Sequence, residues 1–172
     1  MKITTLDEVL IDELKDIYSA ENQLIKALPK MAKASESNDL RQAFEKHLEQ
    51  TRLHTQRIEE ICSDLQIKPR GKKCVGMEGL IEEAKEVLET HANPEPLQAA
   101  LIGAAQRVEH YEIAAYGTAR AHAKQLGYVK AVDLLSQTLD EEKLADELLT
   151  KLAENRINVK AAMSESQQRV MG

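Results

Sequence analysis

The chain of 172 residues is 42% hydrophobic and 30% charged, and its 23 Lys and Arg against 29 Asp and Glu give a net charge of −6. An acidic chain with four Tyr, one Phe and no Trp offers neither the basic surface nor the stacking platforms that nucleic-acid binding needs. No apolar run approaches the ~20 residues that cross a bilayer, and seven Gly and four Pro are too few for the turns of an all-β fold. We therefore expect neither a nucleic acid nor a membrane as a partner.

The first residues and the two cysteines bear on the cellular compartment in which the protein is expected. The first residues become acidic at once, which is unlike a secretory signal or a transit peptide. Cys62 and Cys74 are the two cysteines, and two isolated cysteines make a poor disulfide framework. The sequence therefore favours a reducing cytoplasm.

Apolar residues recur at steps of three and four along most of the chain, which is typical of amphipathic helices. The first helix is expected to begin after Thr4 or Thr5, either of which is a good N-cap, and Pro29 is expected to kink it or to end its regular part. Asn38 is the expected N-cap of the second helix, and Gly127 is expected to end the fourth. The predicted helices cover about residues 5–34, 38–66, 77–89, 94–126 and 128–155.

The connections between these helices predict the fold class. The first two helices and the last two are joined by short turns, which indicates two antiparallel hairpins. Residues 67–93 join the hairpins and contain a short helix of their own, so the prediction is an all-α, ferritin-like four-helix bundle with one long crossover. Residues 1–159 are expected to form a single domain, followed by a polar, frayed tail over residues 160–172.

The apolar stripe of each long helix is interrupted near its middle by polar residues. These interruptions are Glu21 in the first helix, His47, Gln50 and His54 in the second, Glu109 and Glu112 in the fourth, and Glu142 and Asp146 in the fifth. The spacing from Glu21 to His54 nearly equals that from Glu112 to Asp146, so the two hairpins resemble two copies of one unit. Helical residues four apart share a face. Gln50 with His54, and Glu142 with Asp146, can therefore each converge on one point.

Energetics favours a metal ion at this level of the bundle. A buried carboxylate without a partner costs several kcal/mol, and several of them would exceed the ~5–15 kcal/mol that stabilises a domain. No Lys or Arg lies on the stripes at this level, whereas carboxylates with imidazoles suit iron or manganese. The sequence therefore predicts a site for one or two ions, with Glu21, Gln50, His54, Glu109, Glu112, Glu142 and Asp146 as candidate ligands.

Three neighbouring residues have alternative interpretations. Glu109 could be a ligand, a partner of a ligand or a surface acid. His47 lies on the stripe and could be a ligand or a partner of one, but a hydrogen-bonded core histidine is the favoured interpretation. Glu141 is expected at the rim of the site.

Five blocks of sequence resemble the YciF-like (YciE/YciF) family of bacterial stress-response proteins, which belongs to the ferritin-like superfamily. The blocks are Tyr18-Ser-Ala-Glu21, His47-Leu-Glu-Gln-Thr51, the segment 73–84, the segment 108–117 and Leu139-Asp-Glu-Glu-Lys143. They occur in the family's order and span about residues 3–155. The resemblance implies a cytoplasmic homodimer with a dinuclear metal site, in which Glu21, Glu109, Glu112 and Glu142 match the acids of the motif.

Two positions differ from the sequence patterns of the YciF-like family and of the di-iron proteins in its superfamily. The YciF-like pattern often has Glu where this chain has Gln50, and an amide binds metals weakly and cannot bridge two ions. Many di-iron proteins of the superfamily have His where this chain has Asp146. These departures leave one metal, an unequal pair or none as alternatives.

Three functions fit these observations. The first is a metal-dependent protein that handles oxidants or iron, with a small oxidant or a metal ion as its ligand. The second is a non-enzymatic dimeric stress protein with a degenerate metal site, which would act through partner binding at the crossover segment 72–90. The third is a subunit of a storage cage, although the helix of the crossover would alter the packing surfaces of such a cage.

Overall fold

The computed structural model describes residues 3–163, and these residues form helices joined by short connections. The α-helices are α1 Leu6–Ala34, α2 Asn38–Asp64, α3 Val75–Glu89, α4 Pro94–Leu126 and α5 Val129–Leu152. The all-α prediction is confirmed, and the five helices agree with the predicted ones to within a few residues. Among the described residues, no helix is both long and apolar enough to cross a membrane.

The ends of the helices follow from local side-chain chemistry. Thr5 forms a capping box with Glu8 at the start of α1, as one of the two predicted caps. Ser37, rather than the predicted Asn38, caps α2, because its hydroxyl accepts the N–H of Leu40. Gly127 ends α4 in the left-handed conformation, with φ of 76°, which glycine adopts without steric cost.

The structure corrects one predicted helix end. Pro29 lies on the exposed side of α1 and does not end it, because the helix continues to Ala34, its predicted end. After α5, a π-helical turn over Ala153–Ile157 leads into further helix at 158–163, where a frayed tail was predicted from residue 160. The turn buries Ala153 and Ile157 against the core. Residues 164–172 of the predicted tail lie outside the described part of the chain.

The four long helices surround a core that is divided into two apolar clusters. Helix α1 packs against α2 and α4, and α5 packs against the same two helices. One cluster centres on residues such as Leu24, Leu28 and Phe44, and the other on residues such as Leu14 and Ile58. The polar residues predicted from the interrupted stripes lie between the two clusters.

The crossover helix α3 covers only the face formed by α1 and α4. Its start is held by Ser19, whose hydroxyl accepts the N–H of Cys74 at 2.9 Å, and by Gln23, which donates to the carbonyl of Cys74 at 2.9 Å. The hydroxyl of Tyr111 donates to Asp16 at 2.7 Å and lies 2.8 Å from the thiol of Cys74. These contacts join α1, α3 and α4 at one point.

Gly76 allows the ring of Tyr111 to lie directly on α3, and this close approach predicts a mutational effect. A Cβ at position 76 would lie 2.8 Å from Cε2 of Tyr111, so the ring would have to leave its hydrogen-bonded position. We expect Gly76→Ala to lower the free energy of unfolding by about 1–3 kcal/mol, the usual cost of overpacking. Urea unfolding monitored by circular dichroism measures the change.

Gly79 provides the matched control on the same helix. A Cβ at position 79 meets nothing within 4 Å, so Gly79→Ala is expected to stabilise the protein by about 0.5–1 kcal/mol through its higher helix propensity. Equal stabilisation by both substitutions would contradict the close contact between Gly76 and Tyr111.

Candidate metal centre

Six polar side chains from all four long helices meet between the two apolar clusters. They are Glu21 from α1, His47 and His54 from α2, Glu109 and Glu112 from α4, and Glu142 from α5, and each is at most 5% exposed. Each of these side chains lies on the face of its helix that points into the bundle, where the sequence pattern interrupts the apolar stripe.

The six residues form two groups of potential metal ligands that share Glu142. In the first group, Nε2 of His47 lies 3.5 Å from Oε1 of Glu109 and 3.9 Å from Oε2 of both Glu112 and Glu142. In the second group, Nδ1 of His54 lies 2.9 Å from Oε1 of Glu142 and 3.5 Å from Oε1 of Glu21. In each group the ligand atoms lie within 4.8 Å of one another. The two oxygens of Glu142 therefore face different groups.

Many of these buried atoms have no hydrogen-bond partner among the described residues. They include both carboxylate oxygens of Glu112, both ring nitrogens of His47, and one oxygen each of Glu21, Glu109 and Glu142. Buried polar groups in native proteins are almost always satisfied, so a cluster of unsatisfied ones points to an additional partner. Carboxylate oxygens and imidazole nitrogens in this combination fit iron or manganese.

The pKa values of three acids in the cluster are raised, whereas His54 and Glu142 stabilise each other's charged forms. Burial raises the pKa of Glu21 and holds the pKa values of Glu109 and Glu112 well above their usual range, with repulsion from neighbouring carboxylates adding to the effect. Although burial opposes ionisation of His54 and Glu142, their mutual contact raises the pKa of His54 to about 11 and lowers the pKa of Glu142. His54 and Glu142 therefore form an internal ion pair, and burial favours the neutral forms of Glu21, Glu109 and Glu112.

The side chains around the cluster fix the orientation of His54. Its Nε2 lies 2.8 Å from Oε2 of Glu141, and Arg57 holds Glu141 with two contacts of 2.7 and 2.9 Å. Although partial burial opposes its ionisation, the contacts with Arg57 and His54 lower the pKa of Glu141. This carboxylate therefore accepts a hydrogen bond from the Nε2–H group of His54. Nδ1 of His54 is thereby directed at Glu21 and Glu142, an arrangement typical of metal-binding histidines.

Tyr116 supports the other side of the second group. Its hydroxyl donates a hydrogen bond to Glu21, and its ring packs edge-on against His54. Burial and the surrounding carboxylates keep the pKa of Tyr116 well above its usual range, so the phenol remains a donor.

Five of the seven predicted ligands lie in the cluster, namely Glu21, His54, Glu109, Glu112 and Glu142. Gln50 is half-buried and lines a crevice between α2 and α5 together with His47 and Glu109. Asp146 lies outside both groups, where it accepts a hydrogen bond from Gln106 at 3.0 Å and lies 3.4 Å from the exposed His110. Four residues advance ~6 Å along a helix and rotate ~40° around it, which carries Asp146 past the ligand layer.

His47 and Glu141 play larger parts than the sequence analysis assigned to them. His47 was expected to be a hydrogen-bonded core histidine, but neither of its ring nitrogens has a hydrogen-bond partner among the described residues. Its spacing of seven residues from His54, two helical turns, was the signal that could have identified it. Glu141 lies near the rim as predicted, and its contact with His54 is the feature that the sequence did not reveal.

Comparisons with known proteins place the chain in a family. Residues 5–162 match the profile of DUF892, a domain of unknown function. The chain belongs to the DUF892 family. This member of DUF892 is 52% identical over 162 residues to protein YciF of Escherichia coli K12, and the match covers 94% of this chain and 98% of YciF.

Solved structures agree with this assignment. The crystal structure of the E. coli stress protein YciF superimposes on the DUF892 protein with a TM-score of 0.88 at 51% identity, over 91% of this chain and 99% of that chain. A dodecameric thioferritin from Bacteroides fragilis matches with a TM-score of 0.67 at 21% identity, over 92% and 90% of the two chains. The predicted resemblance to YciF and the ferritin-like fold are confirmed.

The buried acids predict a pH-dependent stability in the metal-free protein. Because burial raises the pKa of Glu112 in the folded state, the folded protein binds this proton more tightly than the unfolded chain. The free energy of unfolding therefore falls as the pH rises above the usual value of 4.5. We expect Glu112→Gln to stabilise the metal-free protein at pH 8 by on the order of 1–4 kcal/mol, with a smaller gain near pH 4.5.

Thermal unfolding between about pH 4.5 and pH 8, in the presence of a chelator, measures this difference. Glu147→Gln is the matched control, because Glu147 lies on the exposed face of α5. A Glu112→Gln variant whose stability follows the same pH dependence as the parent would contradict the raised pKa.

Proposed function

We propose that this DUF892 protein binds one or two ions of iron or manganese in the cluster and uses them to handle oxidants or iron. The observation that carries the proposal is the shared position of Glu142, whose two oxygens face two separate groups of buried ligands. Ferritin-like di-metal proteins build their centres from inward-pointing Glu and His on all four helices in a comparable way.

The residues divide naturally between two ions. His47, Glu109, Glu112 and Glu142 would hold the first ion, and Glu21, His54 and Glu142 would hold the second. A bound pair of these metals supplies electrons for reactions with dioxygen or peroxide.

The protein's own residues would prepare the site for the metal. Arg57 and Glu141 orient His54, and Tyr116 holds one oxygen of Glu21. The apolar clusters on both sides bury the ligand layer, which strengthens the ionic contacts within it. Because acids that retain protons must release them to bind a cation, binding is expected to become tighter as the pH rises.

Gln50 was the main reason to consider a degenerate metal site, with partner binding as the function. His47 contributes an additional nitrogen to the first group, and Gln50 lines the same crevice as His47 and Glu109. The first group therefore offers four buried acids and histidines without counting the amide of Gln50.

We further propose that the protein is a cytoplasmic homodimer, as the resemblance to the YciF-like family implies. A light-scattering mass near twice 19.3 kDa would agree with this proposal. A mass near twelve chains would instead favour a cage like the dodecameric assembly that is named for the Bacteroides fragilis protein.

Thermal stabilisation by metal tests the proposed function. An ion that binds only the folded state at about 100 times its Kd adds ~2.7 kcal/mol of stability, or roughly 5–10 °C in Tm for a chain of this size. We expect Mn²⁺, or Fe²⁺ without oxygen, to produce this rise in the parent. Glu142→Gln is expected to lose most of it, because the shared ligand is neutralised.

Asp146→Asn is the matched control one turn further along α5. Because Asp146 contacts Gln106 and His110 outside the cluster, this variant is expected to retain the full rise in Tm. Absence of a rise in the parent, or equal rises in the parent and in Glu142→Gln, would contradict the proposed function.

A further inference from the structure

The face of the bundle formed by α2 and α5 has a crevice that reaches the cluster. Helix α3 contacts α1 and α4 and, within residues 3–163, has no close backbone contact with α2 or α5. The crevice lies on this uncovered side, and its lining includes His47 and Glu109 as well as Gln50 and Ala145. Its interior offers about 60 Å³ to the centres of water-sized molecules, and a single water needs ~10–15 Å³ on this measure.

The residual exposure of the ligands agrees with an opening at this end of the cluster. Glu21, His54 and Glu142 are 0% exposed and Glu112 is 2% exposed, whereas Glu109 is 3% and His47 is 5% exposed. The two most exposed members of the cluster, His47 and Glu109, also line the crevice. Oε2 of Glu109 and both ring nitrogens of His47 have no hydrogen-bond partner among the described residues. These ligand atoms are themselves buried, and they belong to residues that line the crevice.

The walls of the crevice favour small neutral molecules. Ala145, Leu148 and Leu149 supply apolar surface from α5, and Gln50 supplies an uncharged amide from α2. The charge of Glu141 is compensated by Arg57 and His54, and the exposed Lys46 at the mouth repels cations. A path for cations would need acidic walls, and a large substrate would not fit the volume.

We propose that this crevice is the route by which small neutral oxidants, of the size of dioxygen or hydrogen peroxide, reach the His47–Glu109 side of the cluster. Ala145 and Gln50 are the residues that set its width and polarity. The role of the crevice as an oxidant route rests on the proposed function, whereas its permeability to dioxygen can be measured in the metal-free protein.

Paramagnetic relaxation by dissolved dioxygen tests the permeability directly. Leu149 lines the crevice and Leu139, on the same helix, does not, although both are 3% exposed. In the metal-free protein under oxygen pressure, we expect a several-fold larger relaxation enhancement at the methyl groups of Leu149 than at those of Leu139. Equal enhancement at the two residues would overturn the proposal.

A blocking variant tests the route in the metal-loaded protein. Ala145→Phe should fill the crevice, and stopped-flow oxidation of the Fe²⁺-loaded protein by hydrogen peroxide should slow several-fold. Ala27→Phe is the matched control, because Ala27 lines a groove between α1 and α3 that includes none of the six cluster residues. An unchanged oxidation rate in Ala145→Phe would overturn the proposal, as would an equal loss in both variants.

Stabilisation by Mn²⁺ separates the two possible failures. We expect the same rise in Tm in the parent, in Ala145→Phe and in Ala27→Phe, because none of these changes removes a ligand. Absence of the rise in the parent would overturn the proposed function and, with it, the role of the crevice as an oxidant route. The relaxation measurement would still decide whether the crevice admits dioxygen.

Discussion

The burial of four glutamates at the centre of one bundle is the constraint on which the rest of the structure depends. An isolated buried carboxylate costs several kcal/mol, and a whole domain is stable by only ~5–15 kcal/mol. The contact between Glu142 and His54 offsets part of this cost, and burial raises the pKa values of Glu109 and Glu112, which favours their neutral forms. The one or two proposed cations would give these buried groups partners. Without such a partner, the layer lowers the stability of the bundle.

The crossover links the fold to this layer. Tyr111 on α4 and Asp16 and Ser19 on α1 hold the start of α3, and they flank the cluster residues Glu112 and Glu21 in sequence. The contact that fixes the crossover therefore lies close in sequence to one cluster residue on each of these two helices. Since α3 covers the α1–α4 face, the opposite face is the one that retains a crevice to the cluster.

The helices could be predicted because an amphipathic stripe reports directly on the buried face of each one. Their ends were less certain, since the sequence offers several capping residues close together, such as Ser37 beside Asn38. The helix beyond α5 was missed because the polar sequence after residue 159 gives no apolar stripe, while the π-helical turn that precedes it shifts the helical register.

The site could be predicted to the level of the layer but not to the individual atom. Interrupted stripes identified Glu21, Glu112 and Glu142 because a buried acid stands out among Leu and Ile. The stripes could not show that His47 joins the cluster and that Asp146 does not. Asp146 lies one turn from Glu142 and His47 lies two turns from His54, so the direction of each side chain decides its position. The compensating pair of Arg57 and Glu141 joins two helices, and no spacing within one helix reveals such a contact.

We propose that these acids share an interior point because they bind a cation there. The most direct test is anomalous X-ray diffraction from crystals equilibrated with Mn²⁺. We expect one or two anomalous peaks within bonding distance of Glu142, with His47 or His54 as a further ligand. Manganese confined to surface carboxylates at saturating concentration, with Glu142 and His54 still in direct contact, would contradict this proposal.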